Sequence, residues 1–142
     1  MTPATRQGTL AALLRGVSED VSAYEGLLLL LGQQFDAALH HQGARLGQLA
    51  ADIMLAVDAI ELRRAARVDL LGKLLGAQAC MSQLPALLKG NTRARLESEW
   101  QALGQMLLEC KRLSSRNSNL LADQYSIMQR VLHGEEQIYA PG

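Results

Sequence analysis

Three histidines and two cysteines are the residues in this chain best suited to bind a metal ion or act as a nucleophile. His40 and His41 are adjacent, so on a helix their side chains point to different sides and do not readily chelate one ion. His133 lies far from both in sequence. Cys80 and Cys110 form no CxxC pair, and neither has an identifiable base. This pattern predicts surface histidines, a packed Cys110 and no metal site.

Paired carboxylates are the other residues that could carry acid–base or metal chemistry. They occur three times, as Glu19 with Asp20, Glu97 with Glu99, and Glu135 with Glu136. A di-metal helical bundle would carry Glu-x-x-His motifs on facing helices, and the sequence has none. It also has no P-loop and no dinucleotide-binding glycine motif. We therefore expect no enzymatic activity and no cofactor, with these acids at helix surfaces or ends.

The charge balance limits the classes of partner. The chain has 14 basic and 14 acidic residues, whereas a nucleic-acid binder needs a basic face to neutralise phosphates. Arg63, Arg64 and Arg67 are expected to form a solvated helix face. The five leucines at 27–31 are far short of the ~20 apolar residues that span a bilayer, so we expect no stable membrane insertion. The N-terminus has no apolar signal segment, and a cytoplasmic protein with reduced thiols is expected.

Apolar residues recur along the chain with the spacing of packed helices. From Leu10 to Ala38 they alternate in steps of three and four, a heptad seam sustained over about four heptads. Similar seams occupy residues 46–75 and 96–131. No segment alternates long enough with the period of a strand. The fold is predicted to be all-α, an elongated antiparallel bundle of three long helices.

Breaks between the seams predict where the helices end. Gly43 is expected to cap the first helix, and the second is expected over residues 44–76. Pro85 interrupts residues 77–91, which predicts a short extra helix packed across one end of the bundle in the second connection. Thr92 then caps the last helix.

The last helix is the longest and is expected to end at Gly134. Residues 1–134 would then form a single domain, and 135–142 a flexible C-terminal tail. At ~1.5 Å per residue, the first helix is about 48 Å long and the last about 63 Å. If these two helices start level, the last one extends past the first by about 14 Å.

The extending end of the last helix is apolar on more than one face. An exposed surface of this kind marks a protein-binding site, and a helix lying in a groove is the expected contact. A homodimer or a shift in helix register are the alternatives, since either would bury the same side chains. The apolar residues concerned are Leu120, Leu121, Tyr125, Ile127, Met128, Val131 and Leu132.

Two more residues on the last seam are singled out. Trp100, near the start of the helix, is predicted to be a large core anchor and not a ligand-binding residue. Asn117 has two interpretations that stay open. A polar residue on a seam fixes register or partner, or it is solvent-exposed if the extending end begins there.

The last third of the chain also carries a recognisable family pattern. A Trp-containing helix start at 99–103 is followed by an Asn-rich stretch at 110–121 that leads into two leucines. A Tyr-containing segment follows at 138–142, and looser matches occur at 24–28 and 61–64. On these residues the chain resembles the FlgN family of flagellar type III export chaperones.

The resemblance implies a specific role. Proteins of this family bind the C-terminal segments of the hook–filament junction proteins FlgK and FlgL in the cytoplasm and deliver them to the export gate protein FlhA. The resemblance places the substrate-protein site at 117–132, which adds Asn117 and Gln124 to the apolar residues above. Tyr139 is the counterpart of the family's export-gate docking tyrosine. A monomer or a weak homodimer is expected.

Two other interpretations remain open from the sequence. The chain could be a self-associating structural coiled-coil protein with no export role, in which the extending end is a dimer seam. It could also be an enzyme with a metal site in a helical bundle. The mass in solution distinguishes the first from a chaperone, and metal analysis distinguishes the second.

Overall fold

Four helical elements make up the structure. The computed structural model describes residues 1–139, with side chains through residue 137. Helix α1 spans Pro3–Leu39, α2 spans Gly43–Leu75, a 3-10 helix spans Met81–Leu87 and α3 spans Gly90–Tyr139. No strand occurs between residues 1 and 139, and the all-α prediction is confirmed. Residues 140–142, the end of the predicted tail, lie outside the described residues.

A short link, His40 to Gln42, joins α1 to α2. The backbone N–H of His40 donates to the carbonyl of Asp36 and closes the last turn of α1. The chain then reverses at His41, whose φ of 54° lies in the left-handed region that few non-glycine residues adopt. The predicted cap at Gly43 is therefore wrong, because the reversal is complete before Gly43, which is the first residue of α2.

The second connection contains the short helix that the sequence predicts. Gly76, with a φ of 102°, ends α2. The 3-10 helix that follows is tied into the core by Met81 and Leu84, which are both buried. Helix α3 begins at Gly90 and not after Thr92, because the chain turns at Gly90 with a φ of 61°.

Two clusters of buried side chains hold the helices together. The first lies where the 3-10 helix meets the long helices and comprises Leu13, Val17, Leu71, Met81, Leu84, Leu88, Leu96 and Leu103. The second comprises Leu27, Leu31, Cys110 and Leu113, with Ile53, Ala56 and Ile60 of α2 packed against it. Fully burying one such leucine contributes about 1.5–3 kcal/mol. Both clusters include α1 and α3, so they fasten these two helices together at two levels.

Helix α1 is the common neighbour of the other long helices. It packs along α2 and along α3, whereas α2 and α3 contact each other far less. Arg45 and Arg63 of α2 donate hydrogen bonds to Gln33 and Asp20 of α1, respectively. The later residue of α2 therefore pairs with the earlier residue of α1, which indicates that the two helices run in opposite directions. Hydrogen bonds between α1 and α3 follow the same order in both helices. The central position of α1 fits its apolar side chains off the seam.

Helix α3 continues past the end of α1. The side-chain amide of Gln124 donates to the carbonyl of Ala38, in the last turn of α1, at 2.9 Å. From there α3 runs on to Tyr139, about 22 Å at ~1.5 Å per residue. The predicted helix end at Gly134 is wrong, because one interior glycine costs a helix only about 1 kcal/mol. The predicted tail is thus helical from residue 135 to Tyr139.

Candidate functional site

Five large apolar side chains lie exposed on the extending end of α3. Tyr125 is 60% exposed and Leu132 is 50% exposed, and Ile127, Met128 and Val131 lie between these values. We call these five the C-terminal apolar surface. Isolated apolar residues are common on protein surfaces, whereas a contiguous group of this size indicates a contact site for another protein.

A groove lies between the C-terminal apolar surface and the start of α2. We call it the C-terminal groove; it has a volume of about 510 Å³. Its lining comprises His41, Gly43 and Leu46 on one side, and Leu121, Gln124, Tyr125, Ile127 and Met128 on the other. No Asp, Glu, Lys or Arg contributes to this lining. The groove therefore suits the apolar stripe of an amphipathic helix.

Three other predicted site residues lie beside this groove. Leu120 is half-buried one position before the groove residue Leu121. Val131 and Leu132 continue the exposed surface along α3 beyond Met128. The structure therefore brings Leu121, Gln124, Tyr125, Ile127 and Met128 together in one groove.

Gln124 is half-buried and anchored, in contrast to the exposed residues beside it. The carbonyl of Ala38 is one of the last carbonyls of α1, which have no partner within their own helix. The Nε2 atom of Gln124 donates to this oxygen. Gln124 thus positions α3 against the end of α1 at the mouth of the groove.

Asn117 is only 2% exposed and faces α1. Its Nδ2 atom donates to the Leu31 carbonyl at 2.8 Å and to Gln34 Oε1 at 2.8 Å. Arg116 donates to its Oδ1 atom at 3.2 Å and stacks over the Phe35 ring, 3.7 Å from the centroid. Of the two interpretations, the structure supports the register-fixing one. Asn117 is engaged inside the fold and does not join the C-terminal apolar surface.

Asp20 is a buried charge that the sequence interpretation placed at the surface. It is 0% exposed, and its two carboxylate oxygens accept hydrogen bonds from Arg63 and Arg67 of α2. The expectation that these arginines only form a solvated face is therefore wrong. Burial, together with the nearby Asp20 carboxylate, raises the pKa of the Tyr24 hydroxyl. The four-residue spacing of Arg63 and Arg67 was the available signal, since it puts both on one helix face.

Trp100 is not the core anchor that the sequence predicts. Its ring is 38% exposed, and the guanidinium of Arg67 lies 5.4 Å from the ring centroid. A cation at this distance is attracted to the face of the ring. Because Arg67 also donates to Asp20, a continuous chain of contacts joins α1, α2 and α3.

The two cysteines differ in environment. Cys110 is buried, as predicted, and burial raises the pKa of its thiol, which disfavours the nucleophilic thiolate. Cys80 is exposed, and its Sγ atom lies 2.9 Å from Ser82 Oγ. Among the described residues, no three His, Cys, Asp or Glu side chains cluster closely enough to hold a metal ion.

Helix α3 ends at Tyr139, which is also the last described residue. Its side chain is not among those described, so export-gate docking stays a prediction. Within residues 1–139, no helix combines the length and the apolar character needed to cross a membrane.

Comparison with known proteins identifies the family. Residues 1–134 match the family described as FlgN protein. No curated protein and no solved structure gives a significant match. The matched region includes α1, α2, both buried clusters and the whole C-terminal apolar surface. The chain therefore belongs to the FlgN protein family, a family of flagellar chaperones and not of enzymes.

Proposed function

We propose that this protein is a cytosolic export chaperone for the hook–filament junction proteins FlgK and FlgL and delivers them to the flagellar type III export gate. The observation that carries the proposal is the C-terminal apolar surface, where α3 continues past α1 with five large apolar side chains exposed. Family membership supports a role in flagellar export. The C-terminal apolar surface supports the place on α3 where the junction proteins bind.

The C-terminal segment of a junction protein binds as an amphipathic helix. Its apolar stripe lies in the C-terminal groove against Leu121, Tyr125 and Met128, and continues along Val131 and Leu132. A segment that is disordered before binding uses part of the contact free energy to become ordered. Affinity is therefore moderate, and release at the gate is feasible. No covalent chemistry is required.

Docking at the export gate uses a separate part of α3. Tyr139 lies about 16 Å beyond Met128 at ~1.5 Å per residue of helix. We propose that this tyrosine contacts the gate protein FlhA while the groove still holds the junction segment. Two separated contacts on one helix allow the chaperone to carry its cargo to the gate.

The proposal includes the overall arrangement of the chain. The order of contacts along the helices supports an elongated antiparallel bundle of three long helices. Residues 1–134 act as a single domain, and the segment that follows carries Tyr139. The protein works as a monomer or weak homodimer, without nucleic-acid binding or stable membrane insertion.

Isothermal titration of the purified protein with the C-terminal segment of a FlgK-type junction protein tests the proposal. Saturable binding is expected, and Met128→Glu is expected to weaken it by about 100-fold because it places a charge in an apolar contact. Leu121→Glu is expected to act in the same direction. The matched control is Leu108→Glu, since Leu108 lies on the same helix, is 67% exposed and does not line the groove.

The outcomes separate the proposal from self-association. Circular dichroism should show the same helicity in all variants; a loss of helicity in Met128→Glu would mean that Met128 belongs to the core. A folded monomer that fails to bind the segment contradicts the chaperone proposal. A tight dimer that Met128→Glu dissociates would instead support the structural coiled-coil alternative.

A further inference from the structure

A second groove opens between α2 and α3, at the end of the molecule that carries the 3-10 helix. It exists because α1 packs against both helices while α2 and α3 contact each other far less. We call it the α2–α3 groove; its volume is about 480 Å³, and Tyr24 of α1 contributes to its lining. It shares no lining residue with the C-terminal groove.

Both walls of the α2–α3 groove expose large apolar side chains. Val68 on α2 is 58% exposed, and Trp100 and Leu107 on α3 are 38% and 40% exposed. Trp100 and Leu107 are separated by two helical turns, about 10.5 Å at ~1.5 Å per residue. This spacing matches the i, i+3, i+7 contacts of a second helix lying along α3.

Gly104 sits between these two side chains on the same wall. It is exposed, and a Cβ atom added there would meet no other atom within 4 Å. A helix backbone can therefore approach α3 closely at this point, as small residues permit at helix–helix contacts. The groove is also formed in advance, because Asp20 holds Arg67, and Arg67 lies over the Trp100 ring. Such preorganisation lowers the entropy lost on binding.

The charges around the α2–α3 groove are unbalanced. Among the residues that line it, the guanidinium groups of Arg64 and Arg67 outnumber the single carboxylate of Glu61, which leaves one net positive charge. Lys111 follows Leu107 by four residues, is exposed, and takes part in no ion pair found among the described side chains. The mouth of the groove therefore favours carboxylates.

We infer that the α2–α3 groove binds an amphipathic helix of a partner protein, with one apolar stripe flanked by carboxylates, as a fourth helix packed on α2 and α3. The apolar stripe contacts Val68, Trp100 and Leu107, and the backbone passes over Gly104. The flanking carboxylates lie beside Lys111 and beside Arg64, which also pairs with Glu61. Binding here does not depend on the C-terminal groove.

Trp100, the single tryptophan of the chain, lines this groove and reports its occupancy. The probe is a synthetic helix of about five turns without Trp or Tyr, with leucines along one stripe and Glu on both flanks. Titration of the full chain should change Trp100 fluorescence saturably. A peptide with Lys in place of Glu should bind at least about tenfold more weakly. Equal affinity for the two peptides would overturn the inference.

Gly104→Gln tests the position of the bound helix. A Cβ atom at this position meets no other atom within 4 Å in the free protein, so we expect the fold to accept the new side chain and the helix to gain stability. Gly26→Gln on α1 is the matched control, since Gly26 is also exposed, helical and free of neighbours within 4 Å. We expect Gly104→Gln to weaken binding of the Glu peptide by at least about tenfold, and Gly26→Gln to leave it unchanged. Unchanged affinity in Gly104→Gln would refute the assigned site.

Two further measurements test whether a second copy of the chain occupies the α2–α3 groove and whether the peptide binds in the C-terminal groove instead. Sedimentation of the protein alone should show a monomer in which the groove is free. A dimer that Gly104→Gln dissociates would assign the groove to a second copy of the chain and overturn the partner-helix inference. Met128→Glu should bind the Glu peptide as the wild type does. Its failure to bind would move the peptide to the C-terminal groove and refute the inference while leaving the proposed chaperone site intact.

Discussion

The buried carboxylate of Asp20 offers a quantitative test of how α1 and α2 are held together. Asp20→Asn keeps the size of the side chain but leaves the guanidinium groups of Arg63 and Arg67 without their negative partner. Removing one member of a buried ion pair costs about 3–5 kcal/mol. The two arginine side chains are 26% and 13% exposed, so water compensates in part. We therefore expect a loss of about 3 kcal/mol in the free energy of unfolding.

Urea unfolding followed by circular dichroism measures this loss. With a slope of about 2 kcal/mol per molar urea, the midpoint should fall by about 1.5 M. Glu61→Gln is the control, because Glu61 pairs with Arg64 on the exposed side of α2, and the midpoint of this variant should stay near that of the wild type. If Asp20→Asn unfolds at the wild-type urea concentration, the ion pair does not hold α1 to α2 and the reasoning fails.

Three other residues give independent predictions. Asn117→Ala should lower the free energy of unfolding by about 2 kcal/mol, because it removes the buried hydrogen bonds to the Leu31 carbonyl and to Gln34, while cargo binding stays unchanged; weaker binding at unchanged stability would contradict this. Cys80 should react with a thiol reagent in the folded protein, and Cys110 only on unfolding, since burial raises the pKa of the Cys110 thiol. Because the unfolded chain loses that proton at lower pH, stability should fall as pH rises through the ordinary thiol range; a flat profile in a Cys80→Ser background would argue against it. Tyr139→Ala should abolish FlhA binding in a pull-down and leave the titration with the junction segment unaltered; retained FlhA binding would place gate docking elsewhere.

The long helices were predictable because their signal is local. The heptad seam from Leu10 to Ala38 depends only on spacing within one segment, and α1 covers all of it. The extension of α3 past α1 followed from the lengths of two such seams. The precise ends were not predictable. The chain reverses at His41, so that Gly43 begins α2, and Gly134 is tolerated inside α3, which continues to Tyr139.

Features that depend on neighbouring helices were missed. Asp20 looks like any surface acid in its own helix, and only the packing of α2 brings Arg63 and Arg67 onto it. Trp100 lies on the seam of α3, yet α2 places the guanidinium of Arg67 over its ring and leaves the side chain partly exposed. Asn117 was ambiguous for the same reason, since its partners Leu31 and Gln34 belong to α1. Spacing within one helix identifies a face but not what covers it.

Both open surfaces of the molecule have one structural origin. Helix α3 is fastened almost entirely to α1, through the two buried clusters and the hydrogen bonds of Asn117 and Gln124. A single neighbour covers one face of α3 and only the length that the neighbour itself reaches. The face turned toward α2 therefore stays open at Trp100 and Leu107, and the segment after Gln124 stays open because α1 has ended. A longer α1 would cover the C-terminal apolar surface and leave the α2–α3 groove open. An α2 packed closer to α3 would close the α2–α3 groove and leave the C-terminal apolar surface exposed. The two surfaces can therefore change independently, which suits a chaperone that holds one protein while it contacts another.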